Sequence, residues 1–266
     1  MTNSRQPAVA GFFYPSQASE LTALVRGFFG DDRLQATDAA APPVALIVPH
    51  AGLIYSGDIA ATGYQMLIPH RHQIRRVALF GPGHRVALAG MAVPSVDEFL
   101  TPLGSVKLDT KAISDLMGLD NVVQSDEAHR LEHSLEVQLP FLQNVLEDFS
   151  LIPVLVGMTS ASSVAAAMAQ LQALDDTVLL VSSDMSHFHD YPTACQIDAD
   201  TASRIVDRET ALNGDQACGC MAINGLLHLA RQSDWSVELL DLRNSGDTAG
   251  GRDRVVGYGA FALRGT

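Results

Sequence analysis

The chain has 266 residues, 47% of them hydrophobic, with a formal net charge of −13 and an isoelectric point near 4.9. That length and apolar content suffice for a buried core in one large α/β domain, and a single domain over 1–266 is the simplest organisation. The acidic balance, with Lys107 and Lys111 the only lysines, repels phosphate backbones and anionic lipid, which argues against nucleic acid and membranes as partners. The N-terminal stretch MTNSRQPAVAGFFYP has no basic region followed by a long apolar one, and no run elsewhere reaches transmembrane length, so a soluble, cytoplasmic protein is expected. Cys195, Cys218 and Cys220 form a sparse, odd set, which suits reduced thiols available as ligands better than a disulfide framework.

In chain order the pattern predicts a helix over 18–29, a solvated acidic and proline-containing connection over 30–43, a strand over 44–48 and a helix over 57–67. A strand over 76–80, a helix over 133–146, a strand over 151–156, a helix over 162–174 and a strand over 177–182 come next. Helices over 195–208 and 217–232, a strand over 235–242, a Gly/Asp/Ser loop over 245–254 and a strand over 255–263 complete the chain. Apolar runs of strand length alternating with helical periodicity are the mark of βαβ units. The expected architecture is a three-layer α/β/α domain around a central, mainly parallel sheet.

Three of these strands deliver ionisable side chains into the loops that follow them: VALIVPH with His50, VALFGPGH with His84, and VLLVSSDMSH with Asp184 and His187. In a parallel sheet such strand ends lie side by side on the carboxyl edge, where ligands and metals bind. A lone histidine is often just a satisfied hydrogen-bonding group, but two after strands sharing the same Pro/Gly grammar point to a metal site. Asp184 and His187 share one face if the segment turns helically, as ligands, orienting groups or an acid/base pair; Asp184 as a plain helix cap is the alternative. His133 and Glu136 stand three apart on a predicted amphipathic helix, a spacing found in metal sites and in ordinary helix starts alike, with Glu132 near the positive end of the dipole. Cys218, in QACGC ahead of an apolar helix, is a plausible soft ligand if the helix N-terminus stabilises its thiolate. His70, His72, His129, His189 and His228 sit in contexts that suit structural or solvent roles.

The ordered set AGFFYP, PHAGLIYSG, GPGH, EHSLEVQLPFL, IPVLVG, VSSDMSH, ACG and GYGAFAL covers nearly the whole chain and resembles the Memo family, whose bacterial members are called AmmeMemoRadiSam system protein B. That family is similar in fold to the class III extradiol dioxygenases of LigB type, which hold non-haem iron with two histidines and a glutamate. Carried over by motif, the resemblance implies His50, His84 and Cys218 as metal ligands, His187 at the position of the dioxygenase base, and Asp184 and His133 lining or supporting the pocket. It implies Fe(II) first, with copper and zinc as alternatives, and radical-SAM and AMMECR-type protein partners. A thiolate in place of the carboxylate of the 2-His-1-carboxylate triad preserves iron binding better than it preserves catechol cleavage. Three functional classes are compatible with these residues: a non-haem iron oxidoreductase or oxygenase acting on an unidentified substrate, a metal-handling protein without turnover, and an interaction module that binds a small molecule, peptide or protein in the retained pocket.

Overall fold

The computed structural model of the chain describes residues 3–30 and 41–265; most of the predicted connection over 30–43 lies outside the described residues. Strand β1 (Ser4–Arg5) and helix α1 (Ala18–Phe29) precede β2 (Ala45–Val48), α2 (Leu53–Gln65) and β3 (Arg76–Pro82). Then come β4 (Met91–Val93), β5 (Glu98–Thr101), β6 (Gly104–Lys107), α3 (Thr110–Leu116), β7 (Val122–Gln124), α4 (Asp126–Arg130) and α5 (Leu139–Val145). The remainder runs β8 (Ser150–Val156), α6 (Ala161–Gln172), β9 (Thr177–Ser182), β10 (His187–His189), α7 (Tyr191–Val206), α8 (Cys220–Gln232), β11 (Ser236–Asn244) and β12 (Val255–Arg264).

Nine strands form one sheet in the order β10-β12-β2-β9-β3-β8-β4-β7, with β11 also paired to β12. Its centre, β2-β9-β3-β8, is parallel, and antiparallel strands flank it on both sides. The central strands are continuous apolar runs buried on both faces, as the middle of a sheet between two helical layers requires. One layer holds α1, α2 and α5, and the other α3, α6 and α8, so the three-layer α/β/α arrangement expected from the sequence is present. Helix α1 shows the reason: Leu21, Val25 and Phe29 recur every fourth residue and are all buried. The second sheet, β1-β5-β6, is small and lies outside this layering.

Two predicted segments fold differently, and both differences shape the site. The helix expected over 133–146 is a 3₁₀ turn at Glu136–Gln138 followed by α5, because Pro140 has no N–H to offer the Glu136 carbonyl and begins a new helix instead. The helical turn that would put Asp184 and His187 on one face after β9 does not form. The Met185 N–H donates to the Gly257 carbonyl and the Gly257 N–H to that of Ser186, so this backbone bonds to β12 rather than to itself. Helices α2 and α7 also begin about four residues earlier than expected, α7 because Asp190 caps it and Pro192 fits its first turn.

Candidate metal centre

The site is built where three neighbouring parallel strands end level with one another. Val48 of β2 pairs with Ser182 of β9, and Phe80 of β3 with Val181, so the residues just beyond them emerge together at the carboxyl edge. His50 and Asp184 each follow two residues after such a paired position, and His84 two residues after the end of β3. The loop of residues 131–135 folds over this edge, held by the Ser134 hydroxyl donating to the Pro82 carbonyl at 2.8 Å. Gly81 makes that approach possible, since a Cβ there would lie 2.8 Å from Leu135 Cδ2 and 3.1 Å from Ser134 Oγ. The loop brings in a third imidazole, His133.

The rings of His50, His84 and His133 form a triangle, with centroids 5.4 Å, 5.5 Å and 4.8 Å apart. One ring nitrogen of each falls within 4.8 Å of the other two, and these are the residues that could together hold a metal ion. Three imidazoles bound through Nε2 at about 2.1 Å to one ion would have ring centres about 5 Å apart, close to the spacing seen.

The surrounding hydrogen bonds decide which nitrogens are free. The Ser182 hydroxyl donates to the Ser134 carbonyl at 2.6 Å, an acceptor only, which commits its single proton. Its oxygen accepts from Gln138 Nε2 at 2.8 Å and faces His50 Nδ1 at 2.8 Å. His50 must therefore carry its proton on Nδ1, which leaves the Nε2 lone pair for a ligand. The Gln138 amide is itself fixed, because Nε2 also donates to the Pro49 carbonyl at 2.9 Å while Oε1 accepts from the Tyr64 hydroxyl at 2.8 Å. Burial pushes the His50 pKa down to about 4, opposed by the Asp184 charge and assisted by His133 and His84, so the ring is neutral and ligand-ready at pH 7.

Glu132 does the same for the ring of His84 and lies beside that of His133. Buried in the loop, its Oε1 accepts from His84 Nδ1 at 2.9 Å and from the His133 and Ser134 N–H groups at 2.9 Å each, and its Oε2 accepts from the His84 N–H. It also lies 3.2 Å from His133 Nδ1, a charge contact outside hydrogen-bond geometry that leaves this buried nitrogen without a hydrogen-bond partner. Burial by itself would raise the carboxyl, but the contacts from His133 and His84 and the backbone N–H groups outweigh it and hold Glu132 far below the usual carboxylate range. A carboxylate behind two imidazoles is the arrangement that orients metal-binding histidines and raises their basicity. Phe13 packs on the outer side of His133 with ring centres 4.8 Å apart.

Glu136, paired with His133 by its sequence spacing, points elsewhere. It accepts from Arg5 Nη1 at 2.8 Å, from the Ala8 and Val9 N–H groups and from the Tyr14 hydroxyl, pinning the N-terminal segment that carries Phe13. Cys218 approaches from the opposite wall, with Sγ 3.4 Å from His50 Nε2. It precedes the Gly219 cap of α8, but the expected thiolate stabilisation is outweighed: burial, reinforced by the Asp184 charge, raises the thiol well above its ordinary pKa. Without a metal the proton therefore stays on sulfur, facing the His50 lone pair. Asp184 sits between the loops as an anchor, its Oδ1 accepting from the His50 and Ala51 N–H groups at 2.7 Å and 3.2 Å and its carbonyl accepting from the Cys218 N–H. His187 lies on β10 opposite Val256, beside Phe188, and is not among the three residues grouped for a metal.

Sequence reasoning overlooked Ser182, Gln138 and the orienting role of Glu132. The serine ending an otherwise apolar strand and the glutamate directly before His133 were the available signals. His129, assigned a structural role, has one: it is buried, with Nε2 3.0 Å from the Ala92 carbonyl. No described helix is long and apolar enough to cross a membrane.

With this geometry in view, comparison with known proteins is consistent along the whole chain. A family model described as Memo-like protein matches residues 5–262. A MEMO1 family protein of Thermoplasma volcanium is 34% identical over 269 residues, covering 97% of each chain. One from Ignicoccus hospitalis is 34% identical over 279 residues (96% of this chain, 97% of the relative), and one from Thermotoga maritima is 32% identical over 273 residues (96% and 97%). Among solved structures, an uncharacterized protein, JW3007, from Escherichia coli K12 superposes with a TM-score of 0.50 at 13% identity, covering 80% of this chain and 98% of its own, a likeness of fold.

Proposed function

The chain belongs to the Memo-like family, and on that footing we propose that it is a metal-dependent oxidoreductase that binds a first-row transition ion, Fe(II) first and copper or zinc as alternatives, on His50, His84 and His133. The observation that carries this reading is the orientation of the rings: Ser182 and Glu132 occupy Nδ1 of His50 and His84, so each turns Nε2 toward the centre of the triangle as its ligand atom. Three imidazoles suit iron, copper and zinc, and they leave coordination positions open for a substrate. Bound there, iron would supply Lewis acidity and one-electron redox chemistry.

The chain's own residues then have distinct tasks. Glu132 holds the loop that carries His133 against the one that carries His84, and Asp184 fixes the loop of His50 against that of Cys218. The His84 side chain is 30% exposed, which makes it the most open side of the triangle. Phe13 excludes water from the outer face of His133. A second reading, metal handling without turnover, is favoured by one feature: the soft sulfur of Cys218 at 3.4 Å from His50 Nε2. Radical-SAM and AMMECR-type partners are proposed from family membership, and co-purification with the tagged chain tests them.

The experiment that separates the readings is oxygen uptake by anaerobically Fe(II)-loaded protein on addition of catechol and other aromatic diols. Uptake that disappears in His84→Ala is the outcome expected of an oxygenase. Firm metal retention with no uptake on any diol favours metal handling instead.

A further inference from the structure

A large cleft adjoins the three histidines without containing them. It has a volume of about 830 Å³ and opens between the segment after His84, the end of β8 and the approach to α8. Gly83 lines it and directly precedes His84, and Cys218 lines it with Sγ 3.4 Å from His50 Nε2, so both of its inner walls are continuous with the candidate metal centre. Its floor is stiff, because the Met158 N–H donates to the Leu88 carbonyl and the Gly90 N–H to that of Met158.

The lining sets the chemistry of an occupant. Leu88, Met158, Leu212 and Met221 are representative, and no charged side chain among the described residues lines the cleft, although the whole chain carries a net charge of −13. A charged molecule would leave water there without gaining a counter-charge, whereas an apolar one gains from burial roughly in proportion to its area. The volume lies within the ordinary range for small-molecule sites of about 300–1,000 Å³. Two methionines, one of them (Met158) 73% exposed, give walls that adapt to different shapes.

We propose that this cleft is the substrate chamber of the metal centre, and that its occupant is an uncharged small molecule with an apolar body of up to three rings, or an equivalent alkyl chain, and a single metal-binding head. The head reaches the histidine triangle past Cys218 and Gly83, and the body rests among Leu88, Met158, Leu212 and Met221. This rests on the metal reading above for the head group only; the apolar chamber stands on its own lining.

Two variants test the chamber without touching the histidines. A Cβ at Gly214, which also lines the cleft, meets nothing within 4 Å, so the side chain of Gly214→Phe starts in open space and adds bulk at the lining, and Met158→Glu places a charge on an exposed rim residue. In the metal-free full chain, the uncharged fluorophore N-phenyl-1-naphthylamine should bind saturably, and at least tenfold more weakly in both variants. In the metal-loaded chain, 4-phenylimidazole should displace the fluorophore and bind at least tenfold more tightly than imidazole, an advantage lost in Gly214→Phe while metal content is unchanged. Fluorophore binding that is absent, or unaltered in both variants, overturns the apolar chamber whatever the metal content. Fluorophore binding as expected, but no advantage of 4-phenylimidazole over imidazole, overturns the link between chamber and metal. Failure of the chain to take up any metal refutes the metal reading, and the fluorophore titration still decides on the chamber.

Discussion

Replacing Ser182 by alanine removes one oxygen atom from the interior, at a point where three partners meet it: the Ser134 carbonyl, Gln138 Nε2 and His50 Nδ1. Gln138 Nε2 keeps the Pro49 carbonyl, but the His50 Nδ1–H and the Ser134 carbonyl lose these partners in a buried setting. Each such loss costs about 1–3 kcal/mol, so the metal-free variant should be about 2–6 kcal/mol less stable in urea unfolding. The same change frees His50 to swap tautomers and rotate, and losing a group that orients a ligand typically weakens metal affinity about 10–100-fold. Affinity is measured by competition against a coloured chelator under argon, beside Ser182→Thr, which keeps the hydroxyl and should restore most of it. If Ser182→Ala stays within about 0.5 kcal/mol and twofold in affinity, His50 is not held through Nδ1 and the assignment of Nε2 as its donor fails.

Three further perturbations have defined outcomes. Burial pushes His50 and His129 down to about 4 from the ordinary 6.5, so each binds a proton more readily in the unfolded chain. Their contribution is fully present above about pH 6.5 and is lost as the pH falls toward 4; at pH 4.5 the metal-free chain should lose about 2–3 kcal/mol per histidine, and His129→Gln should remove about half of that slope in urea titrations. Glu136→Gln breaks the buried pair with Arg5 and should cost about 3–5 kcal/mol, with early proteolysis of the N-terminal segment as a second readout; cleavage at the parent rate would refute the pinning role. Gly81→Ala should push the loop of residues 131–135 off β3, lowering stability by about 1–3 kcal/mol and weakening metal binding together, and unchanged metal affinity would show that the loop has room to yield.

Much of the fold was legible in the sequence because it is written locally. Runs such as ALIV and TVLLVS are buried on both faces, and their position and type come from composition alone. The loops after them, with His50 and His84, were legible for the same reason: proline and glycine mark where a strand must stop. His133 was harder to place. Its helix was expected from periodicity, yet Pro140 divides that stretch, and the histidine is positioned by Ser134 on Pro82 and Glu132 on His84, bonds across 52 and 48 residues of chain. No local pattern encodes such contacts. The condition under which Asp184 and His187 would share a helical face is not met, because the backbone between them bonds to Gly257, a strand partner that arrives more than seventy residues later. The thiol of Cys218 shows a competition of magnitudes: the helix terminus favours the thiolate, but burial and Asp184 oppose it more strongly.

The most direct test of the histidine triangle is elemental analysis of protein reconstituted with Fe(II) without oxygen, for the parent chain, His50→Ala, His84→Ala, His133→Ala and His187→Ala. Stoichiometric metal in the parent and in His187→Ala, and its loss in the other three variants, is the expected result. A parent that holds no metal, or a His133→Ala variant that keeps it while His187→Ala loses it, would contradict the assignment.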